Sequence, residues 1–546
     1  HERPAQRGGL SFVSASASDA EHVASEHSNN GAVPMELAPP PMMQQPPPEP
    51  SGGGSGMGGG GSSIAERMMS KMGYKKGGGL GKNEEGVTAA IEERGNMGNL
   101  GVGFEKKGDG SGWQLPTTAP ELGPEELDPC PVPMWMGKYD GPTIDQAMLD
   151  SWLVEGVRVE SIDHETEHVK PPVLKAMLRA KTMLDDVQDR RAFNDARTRA
   201  NPFEAIKKEF FLNRAALKMA AMDAAFGLLF SGADSENLEQ FAKDSLSSAV
   251  AAFTESHSSS TCSVPRPAPS VLYFGDVAAG PGGFSEYLLW RRSGSSKGFG
   301  FTLRGEHDFT LDRFHHRAAP ELFHAYYGPK NDGDLYNSDN IRALRALVRR
   351  QTNGTMLHVM MADGGFDVSG LENIQEVMNK QLLLSQFASA LATLRVGGHF
   401  VCKCFDLFTP FSAGLLYLLH AAFDDVCIYK PAQSRPANSE RYVVCKGMRE
   451  GVEPITEHLL RVNTRLNELK DDWPCGGRVG AAGKGEGAEG TGYGPPGRDV
   501  LRLVPYELLQ KGKFGAYLHE SNTRLGALQA KALERLIIYM RTDRGG

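Results

Sequence analysis

The sequence D-V-A-A-G-P-G-G-F-S-E at residues 276–286 follows directly on the apolar run V-L-Y-F at 271–274. An apolar run that ends in a glycine-rich turn predicts a buried strand leading into a loop. The three glycines lack the Cβ atoms that would keep a ligand away from the backbone, and Pro281 fixes the φ angle of the turn. In such a loop the backbone N–H groups can closely approach an anionic or zwitterionic ligand.

The spacing of this loop does not favour NAD. The dinucleotide-binding pattern G-x-G-x-x-G requires a third glycine at position 285, where the chain has Ser285. A cofactor other than NAD therefore agrees better with the sequence, and a plain structural turn is the alternative for a glycine-rich loop after a strand.

Strands and helices alternate around this loop. The predicted strands are 271–277, 298–303, 322–327, 357–363, 398–405, 425–430 and 441–446, and helical patterns cover roughly 143–230, 451–470 and 500–541. This alternation predicts an α/β fold with a doubly wound parallel sheet. Because ligands bind beyond the carboxyl ends of the strands in such sheets, we expect the loop, the Asp363 turn and the strand end near Lys403 to surround one cleft.

Composition divides the chain into several modules. Residues 1–61 are rich in Pro, Gly, Ser and Met and are predicted to be disordered. Residues 62–107 form a separate glycine-rich module, 108–130 a linker, 131–455 the α/β domain, and 456–546 a helical extension with a glycine-rich insertion at 476–497. A Ser-rich stretch at 231–269 reads as a further insertion before the first strand.

The net charge of −8 argues against a globally basic nucleic-acid-binding protein. Between Lys170 and Lys218, however, there are twelve Lys or Arg residues against six Asp or Glu residues. This stretch is either a solvated helix face or a polyanion-binding surface.

The seven cysteines include no C-x-x-C pair, so we expect no metal site, and Cys402 and Cys404 are predicted to be core thiols. No signal-peptide pattern occurs, and no apolar stretch reaches the roughly 18 residues that span a bilayer. We therefore expect a soluble intracellular protein that does not enter a membrane.

The G-P-G-G-F loop behind D-x-x-x, with an acidic residue in the next helix, resembles motif I of the RrmJ-like ribose methyltransferases, which have a Rossmann-like class I fold. The resemblance implies S-adenosylmethionine as the cofactor, with no metal required. The residues that it implies for cofactor binding are Asn213, Ala278, Ala279, Gly280, Pro281, Gly282, Gly283, Phe284 and Asp334.

Lys218, Asp363, Lys403 and Glu440 occur in the order and contexts of the K-D-K-E tetrad of this family. We interpret Lys403 as the residue that accepts or steers the 2′-hydroxyl proton, Lys218 as the residue that tunes it, and the two acids as orienting groups. A lysine acts as a base only if its pKa, about 10.4 in water, is lowered. A second ammonium lowers that pKa and carboxylates raise it, and the sequence does not decide between the two effects. Taken singly, each of the four could instead be a surface or turn residue.

The strings at 356–361, 381–387, 397–412 and 430–447 are similar to those of the cap-specific mRNA ribose 2′-O-methyltransferases. That resemblance implies methylation of the first transcribed nucleotide of capped RNA, from cap 0 to cap 1, in the nucleus. The substrate contacts that it implies are Lys181, Asp185, Arg197, Asn373, Ile374, Gln375 and Asn438. Charged groups suit the cap triphosphate, and amides can recognise base edges.

Residues 62–107 resemble a G-patch, with M-G-Y at 72–74 and G-L-G at 79–81 as landmarks. The resemblance implies a DEAH-box RNA helicase as a partner, and a flexible linker is the alternative. Two rival functions remain open: a ribose methyltransferase for another RNA, and a non-catalytic cap-binding or helicase-adaptor protein.

Overall fold

The computed structural model describes residues 115–185, 190–204, 206, 210–232, 271–365, 368, 371–471 and 497–542. The predicted disordered tail, the predicted G-patch and most of both predicted insertions lie outside these residues. The boundaries drawn from composition therefore stay predictions.

The described residues contain nine strands. In chain order these are β1 Val154–Val157, β2 Leu272–Val277, β3 Ser296–Phe301, β4 Phe323–Tyr326, β5 Leu357–Ala362, β6 Leu394–Phe405, β7 Phe423–Tyr429, β8 Glu440–Met448 and β9 Arg498–Arg502. Seven of them form one sheet in the order β4-β3-β2-β5-β6-β8-β7, and β1 pairs with β9 in a separate antiparallel ribbon. The α/β fold class is confirmed, and each predicted strand is present within a few residues.

The prediction of an entirely parallel sheet is wrong at β8, which runs antiparallel to both β6 and β7. The physical reason is the connection between β7 and β8. A parallel neighbour needs a crossover of about a dozen residues or more, usually a helix. Residues 430–439 are too short for that crossover and contain no helix, so the chain returns in the opposite direction.

Twelve α-helices accompany the strands in the described residues. They are α1 Pro124–Leu127, α2 Gln146–Trp152, α3 Pro171–Asp185, α4 Arg190–Ala200, α5 Arg214–Ala225, α6 Gly283–Arg292, α7 Ser338–Gln351, α8 Gln375–Thr393, α9 Pro410–Ala422, α10 Glu453–Asp471, α11 Tyr506–Gln510 and α12 Gly512–Thr542. Short 3-10 turns lie at Leu311–Arg313, Pro320–Leu322 and Glu372–Ile374. No helix of this part of the chain is long and apolar enough to cross a membrane.

The helical expectation was wrong at β1 and at the start of the 500–541 stretch, where β9 lies. Gly156 and the β-branched Val154 and Val157 are poor helix formers, and β9 supplies hydrogen-bonding partners across the ribbon. Pairing between distant segments therefore overrides the local helical pattern.

The sheet is covered on both faces, as alternation along β5 shows. Val359 and Met361 point into a core shared with α5 and α6. Met360 and Ala362 point into the opposite core, which α7, α8 and α9 close. Successive side chains of a strand face opposite sides, so an unbroken apolar strand needs helices on both. Cys402 and Cys404 are buried in the second core, which confirms the prediction of core thiols.

The C-terminal helix α12 packs along α3 and α4, and it also holds α1 and the residues just before it. Arg535, 1% exposed, pairs with Glu126 at 3.0 Å and donates to the backbone oxygens of Pro120 and Glu121 at 2.9 and 3.1 Å. Lys531 pairs with the other oxygen of Glu126 at 2.9 Å. A buried charge is stable only when it is paired, so this cluster joins the two ends of the described chain.

We expect Arg535→Ala to lower the free energy of unfolding by about 3 kcal/mol, because one partner of a buried ion pair is lost. Urea unfolding at neutral pH measures this change. The matched control is Arg541→Ala, an exposed arginine of the same helix, for which a change within about 0.5 kcal/mol is expected. Equal stabilities of the two variants would contradict the assigned role.

The stability difference between the wild type and Arg535→Ala should also depend on pH. Burial alone would raise the pKa of Glu126, but the Gly123 N–H and the charges of Lys531 and Arg535 lower it overall. A lowered pKa stabilises the fold above the ordinary glutamate pKa of about 4.3, and this contribution is lost as the pH falls through the lowered value. The stability difference between the wild type and Arg535→Ala should therefore shrink in acid.

Candidate active site

Three sequence motifs meet at the carboxyl edge of the sheet. Val277 of β2 pairs with Ala362 of β5, and Ala362 pairs with Cys402 of β6. Ala278 follows Val277, Asp363 follows Ala362, and Lys403 follows Cys402. These three residues therefore lie side by side. A Cβ atom on Gly364 would lie 2.6 Å from the Ala278 methyl group, so only glycine permits this approach.

Lys403 and Asp363 form the first buried pair of the site. Lys403 Nζ donates to the backbone oxygen of Asp363 at 2.6 Å and lies 3.3 Å from its Oδ1. The Tyr442 hydroxyl donates to the same Oδ1 at 2.8 Å. Lys403 is only 1% exposed, and a charge at such a position is costly unless it is paired. Asp363 therefore neutralises Lys403 and is itself oriented by Tyr442.

Lys218 and Glu440 form the second buried pair. Lys218 Nζ lies 2.8 Å from Glu440 Oε1 and 3.0 Å from Oε2. Burial opposes ionisation of Glu440, but the charges of Lys218 and Lys403 prevail and lower the pKa of Glu440 well below its usual range. Because Lys403 contributes to that shift, the two pairs act as one electrostatic unit. The structure thus brings all four predicted tetrad residues together, while their chemical roles stay predictions.

The glycine-rich loop lies beside these pairs and opens helix α6. Gly282 has φ +111°, a conformation that favours glycine, and the helix begins at the next residue. A Cβ atom on Gly283 would lie 2.2 Å from Oδ1 of Asn213, which caps the N-terminus of α5 by accepting from Ala215 N at 2.9 Å. Asn213 and the loop are therefore neighbours, as expected if both contact one ligand.

Two of the predicted loop contacts are restricted by burial. Phe284 packs in the core, with its ring 6.1 Å from that of Tyr442, and Ala279 is also buried. The Phe284 ring is thus used to anchor α6 against the sheet, and only the backbone of this residue remains for a ligand. Pro281 is half-buried, and its oxygen accepts from Thr310 N at 3.1 Å.

Asp334 lies in a second loop, and Thr302 contacts both this loop and the glycine-rich one. A Cβ atom on Gly333 would lie 1.7 Å from the Thr302 oxygen, and the Thr302 hydroxyl accepts from Gly280 N at 3.3 Å. Asp334 Oδ1 accepts from Tyr336 N at 2.8 Å. The carboxylate is half-buried, so part of it stays accessible to a ligand.

The residues at this edge suit a ligand with hydrogen-bond donors. Asp276 Oδ1 and Asp363 Oδ2 are buried and have no hydrogen-bonding partner among the described residues. Burial raises the pKa of Asp276, the Ser285 hydroxyl opposes that rise, and the charge of Asp363 adds to it. Unsatisfied buried acceptors are rare in native proteins and indicate a missing donor. In the described part of the chain, no group of three or more His, Cys, Asp or Glu side chains could hold a metal ion.

The predicted substrate contact Lys181 is used inside the protein. It is buried, lies 3.2 Å from Asp406 Oδ2, and donates to Ser439 Oγ at 2.8 Å and to the Glu372 oxygen at 3.1 Å. In this arrangement its ammonium is fully engaged with protein acceptors. The predicted role in contacting RNA requires these bonds to rearrange.

The other predicted substrate residues differ in accessibility. Asn373 is half-buried and donates to Thr182 Oγ1 at 3.0 Å, and Ile374 and Gln375 follow it at the start of α8. Arg197 pairs with Glu204 at 3.0 Å. Asn438 accepts from Lys430 at 2.8 Å. Only the backbone of Asp185 is among the described residues.

Sequence reasoning missed residues that hold the tetrad in place. Tyr442 orients Asp363, and Lys430 donates to the backbone oxygens of Asn438 and Glu440 at 2.9 and 2.6 Å. Period-two alternation in β8 places Tyr442 on the same face as Glu440, so this residue could have been found. Lys430 had no comparable signal, because its contacts depend on the path of the loop that follows it.

Comparison with known proteins agrees with this geometry. Residues 211–448 match a family model described as FtsJ-like methyltransferase, and residues 61–105 match a G-patch domain model. Cap-specific mRNA (nucleoside-2'-O-)-methyltransferase 1 of Danio rerio is 40% identical over 485 residues, 88% of this chain and 52% of the relative. The protein of the same name from Homo sapiens is 39% identical over 481 residues, 87% of this chain and 51% of the relative.

A further relative has a different description. The inactive cap-specific mRNA (nucleoside-2'-O-)-methyltransferase 1B of Caenorhabditis briggsae is 40% identical over 414 residues, 74% of this chain and 46% of the relative. The chain spans about half the length of the curated relatives that it matches. Overall identity therefore does not separate proteins named as enzymes from one named inactive, and the residues of the site have to do so.

The matched stretch 211–448 begins just before α5 and ends with β8, so it contains the whole seven-stranded sheet, the glycine-rich loop and the four residues of the two ion pairs. The chain therefore contains an FtsJ-like methyltransferase domain at residues 211–448, with a G-patch domain at residues 61–105.

Proposed function

We propose that the chain transfers a methyl group from S-adenosylmethionine to the ribose 2′-hydroxyl of the first transcribed nucleotide of capped mRNA, converting cap 0 to cap 1. The observation that carries this proposal is the meeting of the pairs Lys403–Asp363 and Lys218–Glu440 beside the glycine-rich loop. The names of the relatives support the choice of capped mRNA.

The chain offers a cradle for the cofactor. Asn213, the loop at 278–284 and Asp334 surround one edge of the sheet, and the unpaired Oδ2 of Asp363 provides an acceptor. When bound, S-adenosylmethionine would supply the methyl group from its sulfonium centre. The protein's part is to hold the 2′-oxygen in line with that group and to take up its proton.

Lys403 is placed to accept or steer that proton. An ammonium has three protons. Lys403 donates one of them to the backbone oxygen of Asp363, and its Nζ forms an ion pair with Asp363 Oδ1 at 3.3 Å. The remaining position can face a ribose oxygen at the mouth of the sheet. To take up the hydroxyl proton, Lys403 first releases one of its three protons to solvent. As the methyl group is gained, the hydroxyl proton then moves onto the freed lone pair of Nζ and restores the ammonium.

Lys218 and Glu440 set the charge around Lys403. Glu440 stays ionised because of the two nearby lysines, so the pocket holds two positive and two negative groups. Positive charge beside the reacting oxygen favours the alkoxide character that develops as the proton leaves. We therefore assign Lys218 and Glu440 to the stabilisation and orientation of Lys403.

The RNA would enter along the surface formed by residues 373–375 and 438, with Arg197 nearby for phosphate. Guanidinium groups bind phosphate through charge-assisted hydrogen bonds. Through its G-patch the protein would bind a DEAH-box RNA helicase, and it would act in the nucleus, where capped transcripts are made. These partners and this location belong to the same proposal.

A non-catalytic adaptor is the second candidate, and it is favoured by one observation: a relative that is 40% identical is named inactive. Against it stand the four tetrad residues, which are all present and paired here. A buried cluster of charges without catalytic use would be costly to retain.

We expect Lys403→Ala to reduce kcat for methyl transfer by a factor of about 1000, because the group that handles the proton is lost. The affinity for S-adenosylmethionine should be little changed. Single-turnover transfer to a capped transcript and calorimetric binding of the cofactor measure the two quantities.

The matched control is Lys446→Ala, which removes an exposed lysine of the neighbouring strand β8. This variant should retain wild-type kcat. Normal turnover by Lys403→Ala would remove Lys403 from the mechanism, and loss of activity in both variants would point to a general structural effect.

Transfer of labelled methyl groups to capped and uncapped transcripts of one sequence separates the candidate functions. We expect label only on the capped RNA, at the 2′-oxygen of its first transcribed nucleotide. Equal labelling of both RNAs would favour a methyltransferase for another RNA. Absence of label from both, with cofactor and RNA present, would favour the adaptor.

A further inference from the structure

Helix α10 lies beyond the FtsJ-like stretch, yet it holds the loop that carries Asp334. Asn463 Nδ2 donates to the backbone oxygens of Leu335 and Tyr336, both at 3.1 Å. Asn467, one helical turn later, donates to the Tyr336 oxygen at 2.7 Å. Two amides from one face of α10 thus fix the two consecutive peptide groups on either side of Tyr336, two residues after Asp334.

The same loop is held from its other side by α7. Asn340 Nδ2 donates to the Asp334 backbone oxygen at 2.9 Å and to Asp332 Oδ1 at 2.8 Å. Asp334 Oδ1 accepts from Tyr336 N. The Tyr336 N–H belongs to the peptide group whose oxygen, that of Leu335, accepts from Asn463. The next peptide group, through the Tyr336 oxygen, is held by both Asn463 and Asn467. The direction of the Asp334 carboxylate therefore depends on a backbone segment that the asparagines of α10 hold on either side of Tyr336.

The two asparagines cannot turn freely, because their oxygens are engaged as well. Gln381 of α8 donates to Asn463 Oδ1 at 2.9 Å and to Asn467 Oδ1 at 2.8 Å. Ser385 Oγ lies 3.1 Å from Asn463 Oδ1. Asn463 and Gln381 are buried, and a buried polar network of this kind fixes geometry only when every member is satisfied.

We propose that Asn463 and Asn467 are positioning residues for the cofactor, acting on the Asp334 carboxylate through the two peptide groups that flank Tyr336. The inference rests on the proposed function, since it takes Asp334 as the group that meets the adenosine end of S-adenosylmethionine. Helix α10 is then part of the cofactor site, although it lies outside residues 211–448.

The test measures the Kd of the whole chain for S-adenosylmethionine by calorimetry, without RNA. We expect Asn467→Ala and Asn463→Ala each to raise this Kd roughly tenfold, which corresponds to about 1.4 kcal/mol. The KM for capped RNA should stay near the wild-type value. Asn467 is half-buried, so its variant keeps the test readable if Asn463→Ala does not fold.

The matched control is Thr456→Val on the same helix. Thr456 is also buried, but its hydroxyl donates to the Val452 oxygen inside the helix turn and not to the loop. This variant should lose some thermal stability and keep the wild-type Kd. If all three variants weaken binding in proportion to their loss of stability, α10 has a general structural role and the proposal is overturned.

A double-mutant cycle with Asp334→Ala tests the route of the effect. If the asparagines act through this carboxylate, their replacement in the Asp334→Ala background should add little further loss of affinity. Fully additive losses would contradict the proposal. A wild-type chain that binds the cofactor but methylates no RNA would reject the proposed function and leave this binding test intact.

Discussion

The charge of Lys403 lies at the end of an apolar central strand, and the surroundings of the site follow from the need to stabilise it. Asp363 at the end of β5 supplies an opposite charge, and Tyr442 of β8 fixes that carboxylate. Glu440, from the same strand as Tyr442, carries the second pair with Lys218. Removal of any one of the four charged groups would leave a buried charge without its partner, which is among the costliest changes that a protein interior can undergo.

This constraint also explains why the last two strands are arranged as they are. Because β8 runs antiparallel to β6, its first residue, Glu440, lies opposite Phe405 at the carboxyl edge where Lys403 is found. A parallel β8 would place its first residue at the opposite edge of the sheet, far from both lysines. The short connection that enforces the antiparallel direction thus serves the chemistry of the site.

Much of this arrangement follows from local sequence, and some of it does not. The glycine-rich loop and the apolar strands are local patterns, so their positions were predicted within a few residues. The ribbon of β1 and β9 joins segments about 350 residues apart, a pairing that local propensity does not encode. Lys181 was predicted to contact RNA because of the family resemblance, but its partner Asp406 is distant in sequence, and their pairing is a product of the fold. The basic stretch is therefore not one exposed face, since Lys181 and Lys218 both turn inward.

The central claim is that the two buried pairs form a single pocket that presents Lys403 to the ribose. The most direct measurement is a crystal structure of the chain with S-adenosylhomocysteine and a short capped oligonucleotide. The account predicts that the 2′-oxygen of the first nucleotide lies within hydrogen-bonding reach of Lys403 Nζ, at about 2.6–3.2 Å. A 2′-oxygen held by another group, with Lys403 still enclosed by Asp363 and remote from the ribose, would contradict it.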